Sequence, residues 1–239
     1  MKKYETLIFD LDDTLIDNNE SLKYAFTIII NKLKISFSNE LFEEWKKADT
    51  AYWYSWESGK IVIPDNIKTL EDRITYIRAY RFMLFFKDLN LSFEEAVNIN
   101  EIYCSMLGVN IVEIKDAKKL LEDLYPSYKI LIATNGPKDA AINKIKKAKL
   151  DSYIASLICS EEVGFNKPMR EFFEYLYQKI NNYDKSKMLI IGDSLTTDIL
   201  SGMYNGIDSC WFNPNNNPLP SEYKPTMEIN KLLELKKKL

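Results

Sequence analysis

Histidine is absent from all 239 residues. That removes Ser-His-Asp hydrolases, histidine-assisted thiol enzymes, H-E-x-x-H metalloproteases and phosphohistidine chemistry at once. Cysteine is scarce: Cys104, Cys159 and Cys210 are widely spaced, form no C-x-x-C pair, and none opens a C-x5-R loop. They read as small buried hydrophobes in a reducing compartment rather than as a disulfide framework. No stretch approaches the ~20 apolar residues of a membrane span, and the apolar run before Asp10 is too short for a secretory signal. A cytoplasmic protein with no membrane partner is therefore expected. A basic stripe is missing too: net charge is -3, with Lys and Glu mixed along the chain, which argues against a nucleic-acid polymer as partner. Any chemistry must run on carboxylates, lysine, hydroxyls and a hard cation, for which Mg2+ suits better than zinc.

Apolar residues make up 46% of the chain, enough for a substantial core. Short apolar runs at Tyr4–Phe9, Lys129–Ala133, Ser156–Cys159, Met188–Ile191 and Asp208–Phe212 lack the alternation of a half-solvated strand, as strands of a parallel sheet do. Helical segments separate most of them: one capped by Asp116 and running to Leu124, one opened by Pro137, and others over 168–180 and 195–204, the last stopped by Gly206. Alternating strands and helices predict an α/β fold, a doubly wound, Rossmann-like parallel sheet.

Residues 19–110 break this pattern. No strand is evident there. Leu22, Phe26, Ile29, Ile30 and Leu33 share a helical face, Ile67, Leu70, Ile74 and Ile77 another, and Ser92 with Glu95 forms a capping box. Some ninety residues are too many for a simple crossover. The expected organisation is an α/β core from 1–18 and 111–239 with an inserted all-α cap domain at 19–110.

Acidic residues cluster where the first strand ends, at Asp10, Asp12 and Asp13. In open α/β sheets ligands bind outside the carboxyl ends of strands, and carboxylates crowded there ask for a cation. The second strand ends in Thr134-Asn135-Gly136 before a helix start, a hydroxyl, an amide and backbone N–H groups that suit an anion. Lys167-Pro168 opens another helix. The fourth strand ends in Gly192-Asp193-Ser194, with Asp198 following. Each feature alone reads as a turn, a cap or a solvated lysine. Their convergence on one sheet edge does not.

This set, D-x-D-x-T at Asp10–Thr14, the Thr134/Asn135 step, Lys167-Pro168 and Gly192-Asp193 with Asp198, resembles the haloacid dehalogenase superfamily of aspartate-nucleophile phosphatases over nearly the whole chain. The run Gly192–Ile199 with Gly206-Ile207-Asp208 and Cys210–Asn213 is similar to its pyrimidine 5′-nucleotidase branch, with which Asp13, where many relatives of the superfamily carry Gly, is compatible. The resemblance implies a magnesium-dependent phosphomonoester hydrolase. Asp10 would be the nucleophile and Asp12 the acid and base. Asp10, the Asp12 backbone carbonyl and Asp193 would hold Mg2+, with Asp198 behind them. Lys167, Thr134 and Asn135 would face the phosphate. It implies a small phosphorylated substrate, a nucleoside monophosphate. Activity on another metabolite such as a sugar phosphate or phosphoglycolate, phosphomutase activity and a non-catalytic binding module stand as alternatives. In the insertion, Tyr52, Trp53, Tyr54 and Trp56 could stack on a base and Arg73, Arg78 and Arg81 could touch an anion, but aromatic residues packing a core and arginines in surface pairs explain them as readily.

Overall fold

The computed structural model describes residues 4–57, 59–180 and 183–239. Its strands are β1 (Thr6–Phe9), β2 (Ile16–Asp17), β3 (Val112–Glu113), β4 (Lys129–Thr134), β5 (Ser156–Cys159), β6 (Met188–Gly192), β7 (Asp208–Phe212) and β8 (Met227–Ile229). The helices are α1 (Asn18–Lys32), α2 (Asn39–Glu57), α3 (Leu70–Phe85), α4 (Phe93–Met106), α5 (Ala117–Leu124), α6 (Lys138–Lys147), α7 (Ser160–Val163), α8 (Arg170–Gln178) and α9 (Leu200–Asn205). The chain forms two compact units: one from Ile111–Leu239 with the N-terminal segment up to Glu20, the other from Ser21–Asn110.

In the first unit six strands form one sheet in the order β5-β4-β1-β6-β7-β8, every pair parallel. From β1 the chain moves outward to β4 and β5, then returns to β6 on the other side and moves outward again. The direction of winding therefore reverses between β1 and β6, where open sheets of this kind bind ligands. Leu7, Phe9, Ile130, Ile132, Leu189 and Ile191 face one apolar cluster, whereas Ile8, Leu131, Ala133, Met188 and Ile190 face a second. The period-2 alternation is present, but both faces are covered, which is why the sequence reads as continuous apolar runs. β8 at the sheet edge, only three residues long, and the small antiparallel pair β2–β3 are too short to stand out by pattern.

Helix ends follow side-chain chemistry only in part. Ser92 and Glu95 do form a capping box on α4, and Gly206 ends α9 at a φ of 67°, a left-handed conformation that glycine adopts without strain. Asp116, by contrast, does not cap α5 through its side chain; it sits at a φ of 67°. The carboxylate of Glu113 accepts the Lys118 N–H instead, at 2.7 Å.

The second unit contains α2, α3 and α4 and is built on aromatic packing. Trp45 stacks on Phe82 at 4.9 Å and on Phe26 at 5.6 Å, and meets Tyr103 edge-on at 5.8 Å. Arg81, only 6% exposed, enters this cluster. Its guanidinium donates to Asp49 at 2.8 Å and to Asn100 at 3.2 Å and lies about 5 Å from the rings of Phe82, Tyr103 and Trp53. A buried arginine is tolerable only with such partners. It is not a surface pair. Tyr52 is likewise committed inward, donating its hydroxyl to the Ile77 carbonyl at 2.6 Å, while Tyr54 is exposed. On α3 the expected stripe fails at one end: Ile77 is buried, but Leu70 is half exposed, and Arg81 and Phe82 complete the inner face.

Candidate active site

Every candidate for catalysis, phosphate binding and metal binding lies in the first unit. Asp10 follows the last residue of β1, and its N–H donates to the Ile191 carbonyl of β6 at 2.8 Å, which fixes it at the winding reversal. Asp193 follows β6. Its N–H donates to the Thr14 hydroxyl oxygen at 3.1 Å, and that hydroxyl donates back to Asp193 Oδ1 at 3.0 Å. Thr14 thus links the two loops.

One wide, π-type turn over Leu195–Ile199, opened by Ser194, swings Asp198 back under the site; such turns are common at functional positions. Asp198 is fully buried. Its Oδ2 accepts the Ser194 N–H at 3.1 Å, and its Oδ1 accepts Lys167 Nζ at 2.6 Å. The same ammonium reaches Asp10 Oδ1 at 2.6 Å. Glycine is required at 192, because a Cβ there would sit 2.1 Å from Asp198 Oδ2. Asp13 has a φ of 60°, a left-handed conformation that glycine adopts more easily than aspartate. The aspartate is accommodated by a short local bond, its Oδ1 accepting the Asn18 N–H at 2.9 Å.

The strand-end donors behave differently from a free anion site. Thr134 Oγ1 accepts the Gly136 N–H at 3.0 Å. Asn135 accepts the Lys167 N–H at 2.8 Å and donates to the Lys167 carbonyl at 3.2 Å. Its side chain therefore braces the lysine. At the start of α6 the Lys138 N–H is taken by Glu161 Oε2 at 2.7 Å, a carboxylate of this chain filling the helix N-terminus.

Asp12 has a partner that the sequence reading did not single out. Lys144, on α6 and 2% exposed, reaches Asp12 Oδ1 at 2.5 Å and Asn18 Oδ1 at 3.0 Å. The signal was available: Ala140, Ala141, Lys144 and Ile145 are the buried face of α6, and a lysine at an apolar-stripe position needs a buried acid.

One ligand oxygen from each of Asp10, Asp193 and Asp198 lies within 4.8 Å of the others. Burial pushes the Asp10 carboxyl well above its ordinary value; Lys167 pulls it back, and Asp198 and Asp193 add to the rise. Burial, then Asp198 and Asp13, push Asp193 up to about 7. Burial alone would lower the Lys167 ammonium, but Asp10 and Asp198 overcome it and raise it. Carboxylates this crowded fit a divalent cation, which would relieve their repulsion with hard oxygen ligands.

Residues 4–205 match the haloacid dehalogenase-like hydrolase family. The chain belongs to that family. It is 31% identical to the HAD-hydrolase YfnB of Bacillus subtilis (strain 168) over 98% of this chain and 95% of that one. A solved, magnesium-bound YfnB structure covers 100% of this chain and 99% of its own at a TM-score of 0.86. It is also 27% identical to the pyrimidine 5'-nucleotidase YjjG of Escherichia coli (strain K12), over 99% and 98% of the two chains. Identity to the pyrimidine 5'-nucleotidase PynA of Streptococcus pneumoniae is 28%, over 95% and 91%. This haloacid dehalogenase-like chain is thus an enzyme, a hydrolase resembling the pyrimidine nucleotidase branch, and not a binding module. No described helix is long and apolar enough to cross a membrane.

The raised Asp193 value makes a prediction about stability. Its folded value, about 7, lies above the ordinary 3.8. The cost of holding it ionised is therefore absent in acid, grows as pH rises, and is complete above about 7. In metal-free protein, Asp193→Asn is expected to stabilise the fold near pH ~8 and to have almost no effect near pH ~4. Urea unfolding in the presence of a chelator at both pH values measures this, and an equal effect at the two contradicts it.

Proposed function

We propose that this hydrolase is a magnesium-dependent phosphatase of nucleoside 5′-monophosphates that works through an aspartyl-phosphate at Asp10. The observation that carries the reading is the junction of Asp10 with Lys167 at 2.6 Å, beside Asp193 and Asp198, at the winding reversal of the sheet. A nucleophile, a fixed cation and a cation-binding carboxylate cluster meet there.

Asp10, the Asp12 backbone carbonyl and Asp193 would hold Mg2+, with Asp198 fixing Lys167 behind them. When bound, the metal supplies charge neutralisation between an anionic nucleophile and an anionic ester. An Asp10 carboxylate oxygen attacks phosphorus as the bond from phosphorus to the ester oxygen breaks. The leaving alkoxide takes the proton of the Asp12 carboxyl and departs as the alcohol. Water then gives a proton to the Asp12 carboxylate as its oxygen attacks phosphorus, and the Asp10–phosphorus bond breaks to release phosphate. Lys167, clamped by Asp10, Asp198 and Asn135, faces the charge that builds on the transferring oxygens. Such a donor is worth about 10²–10³ in rate. Thr134 holds the Gly136 backbone in the loop next to it.

The nucleotide assignment is supported by YjjG and PynA, two pyrimidine 5'-nucleotidases matched over nearly the whole chain. The helical insertion is proposed as the family's cap domain. Its Tyr52 and Arg81 are engaged in its own core, which leaves other side chains to select substrate. A panel of phosphomonoesters assayed with magnesium tests the reading. Nucleoside monophosphates, pyrimidine ones above all, are expected to give the highest kcat/KM. Turnover of sugar phosphates or phosphoglycolate in their place overturns the nucleotide assignment and keeps the phosphatase, and release of an isomerised sugar phosphate without free phosphate overturns hydrolysis itself.

A further inference from the structure

Among the described residues Lys144 is a buried cation that the mechanism above does not use. It is a helix residue from the apolar face of α6, and burying an ammonium there is costly unless it has acceptors. It has two: Asp12 Oδ1 at 2.5 Å and Asn18 Oδ1 at 3.0 Å. Asn18 is the first residue of α1, and its backbone N–H is bonded to Asp13. The lysine therefore ties Asp12 to the start of α1, where the Asn18 backbone holds Asp13 in turn. Only one oxygen of Asp12 is tied in this way. The other, Oδ2, lies 3.3 Å from the place where a Gly136 Cβ would be, on the same side as the Thr134–Gly136 turn.

We infer that Lys144 is a positioning residue for the acid–base carboxylate: it anchors Asp12 by Oδ1 so that Oδ2 is presented to the ester oxygen and, later, to water. The inference rests on the phosphatase reading and adds to it a residue that touches neither substrate nor metal. A protonated carboxyl keeps a carbonyl oxygen that accepts from an ammonium, more weakly than a carboxylate does, so the anchor stays in place through both half-reactions. Without it, Asp12 is free to rotate, and small displacements of a proton donor are costly in rate, about 10²-fold for an ångström.

Such a role has a signature that loss of packing does not share. An alkoxide leaving from a nucleoside monophosphate needs the Asp12 proton; the nitrophenolate leaving from 4-nitrophenyl phosphate does not. The experiment measures kcat/KM, which ends at the first irreversible step, for both esters with wild type, Lys144→Met and Lys144→Arg. Because one preparation serves both esters, the ratio between them is independent of how much of a variant is folded. Lys144→Met is expected to lose about 30–100-fold on the nucleotide and no more than about 3-fold on the aryl ester, and Lys144→Arg to recover most of the difference. Equal losses on the two esters, or no loss, overturn the inference while an active wild type leaves the phosphatase reading standing. A wild type that hydrolyses neither ester overturns that reading, and the inference with it.

Discussion

Asp10→Asn is expected to lower turnover by about 10⁴-fold or more, the scale on which removal of a nucleophile acts. An amide cannot form the acyl phosphate, and no neighbouring group replaces it: Asp193 is bonded to Thr14, and both oxygens of Asp198 are engaged by Lys167 and Ser194. The fold is expected to survive. Asparagine keeps an oxygen for Lys167, whose second acceptor, Asp198, is untouched. It also removes a carboxylate that burial and neighbouring acids disfavour. Inactive but well-folded protein is therefore the predicted result, read by phosphate release alongside urea unfolding. Retention of more than a few per cent of wild-type turnover contradicts the role given to Asp10.

Gly192→Ala is expected to have the largest structural effect of any single methyl group in the site. The added Cβ would meet Asp198 Oδ2, Cγ and Cβ at 2.1, 2.2 and 2.7 Å. Rotating the carboxylate away cannot relieve a contact that includes the Asp198 Cβ, so backbone must move or Asp198 must leave Lys167. Overpacking of this kind costs about 3 kcal/mol, and the loss of Asp198 leaves Lys167 without one of its two carboxylates. Lower stability and a loss of activity of about 10²-fold are expected together. Gly206→Ala serves as the contrast: it has open space around it and only a φ of 67° against it. It should cost about 1 kcal/mol and leave activity intact. Denaturation midpoints and kcat/KM for the pair test this, and equal behaviour of the two variants contradicts the close approach at 192.

The residues at the strand ends were legible because a parallel sheet buried on both faces leaves its chemistry nowhere else to go. Asp10, Thr134 and Asp193 each follow or end an apolar run, and a polar residue in that position is visible against the run. Lys167 and Asp198 stood out only as members of the cluster at that sheet edge, and their roles came through the resemblance. Nothing local in the sequence announces the wide turn that carries Asp198 under the site or the clamp of Asn135 on the Lys167 backbone.

The inner faces of the helices were misread for one cause, a polar residue standing in an apolar stripe. On α2 the inward positions are Phe42, Trp45, Asp49 and Tyr52; on α3 they include Ile77, Arg81 and Phe82. Asp49 and Arg81 interrupt both stripes, and they do so because they satisfy one another across the helix pair. A reading that scores each helix alone sees two weak amphipathic patterns and misplaces the face of α3. Lys144 hides in α6 by the same means, its acceptor lying 132 residues away in sequence. Periodicity records what a helix buries against hydrocarbon and is blind to a buried charge whose partner is remote.

In the proposed reaction the phosphoryl group passes through Asp10. Mixing excess enzyme with a nucleoside monophosphate and magnesium, quenching in acid within milliseconds and mapping the peptides by mass spectrometry tests it most directly. One added phosphoryl group is expected on the peptide containing Asp10, lost on treatment with hydroxylamine and absent from Asp10→Asn. Release of phosphate in that first turnover with the modification on another residue would contradict it.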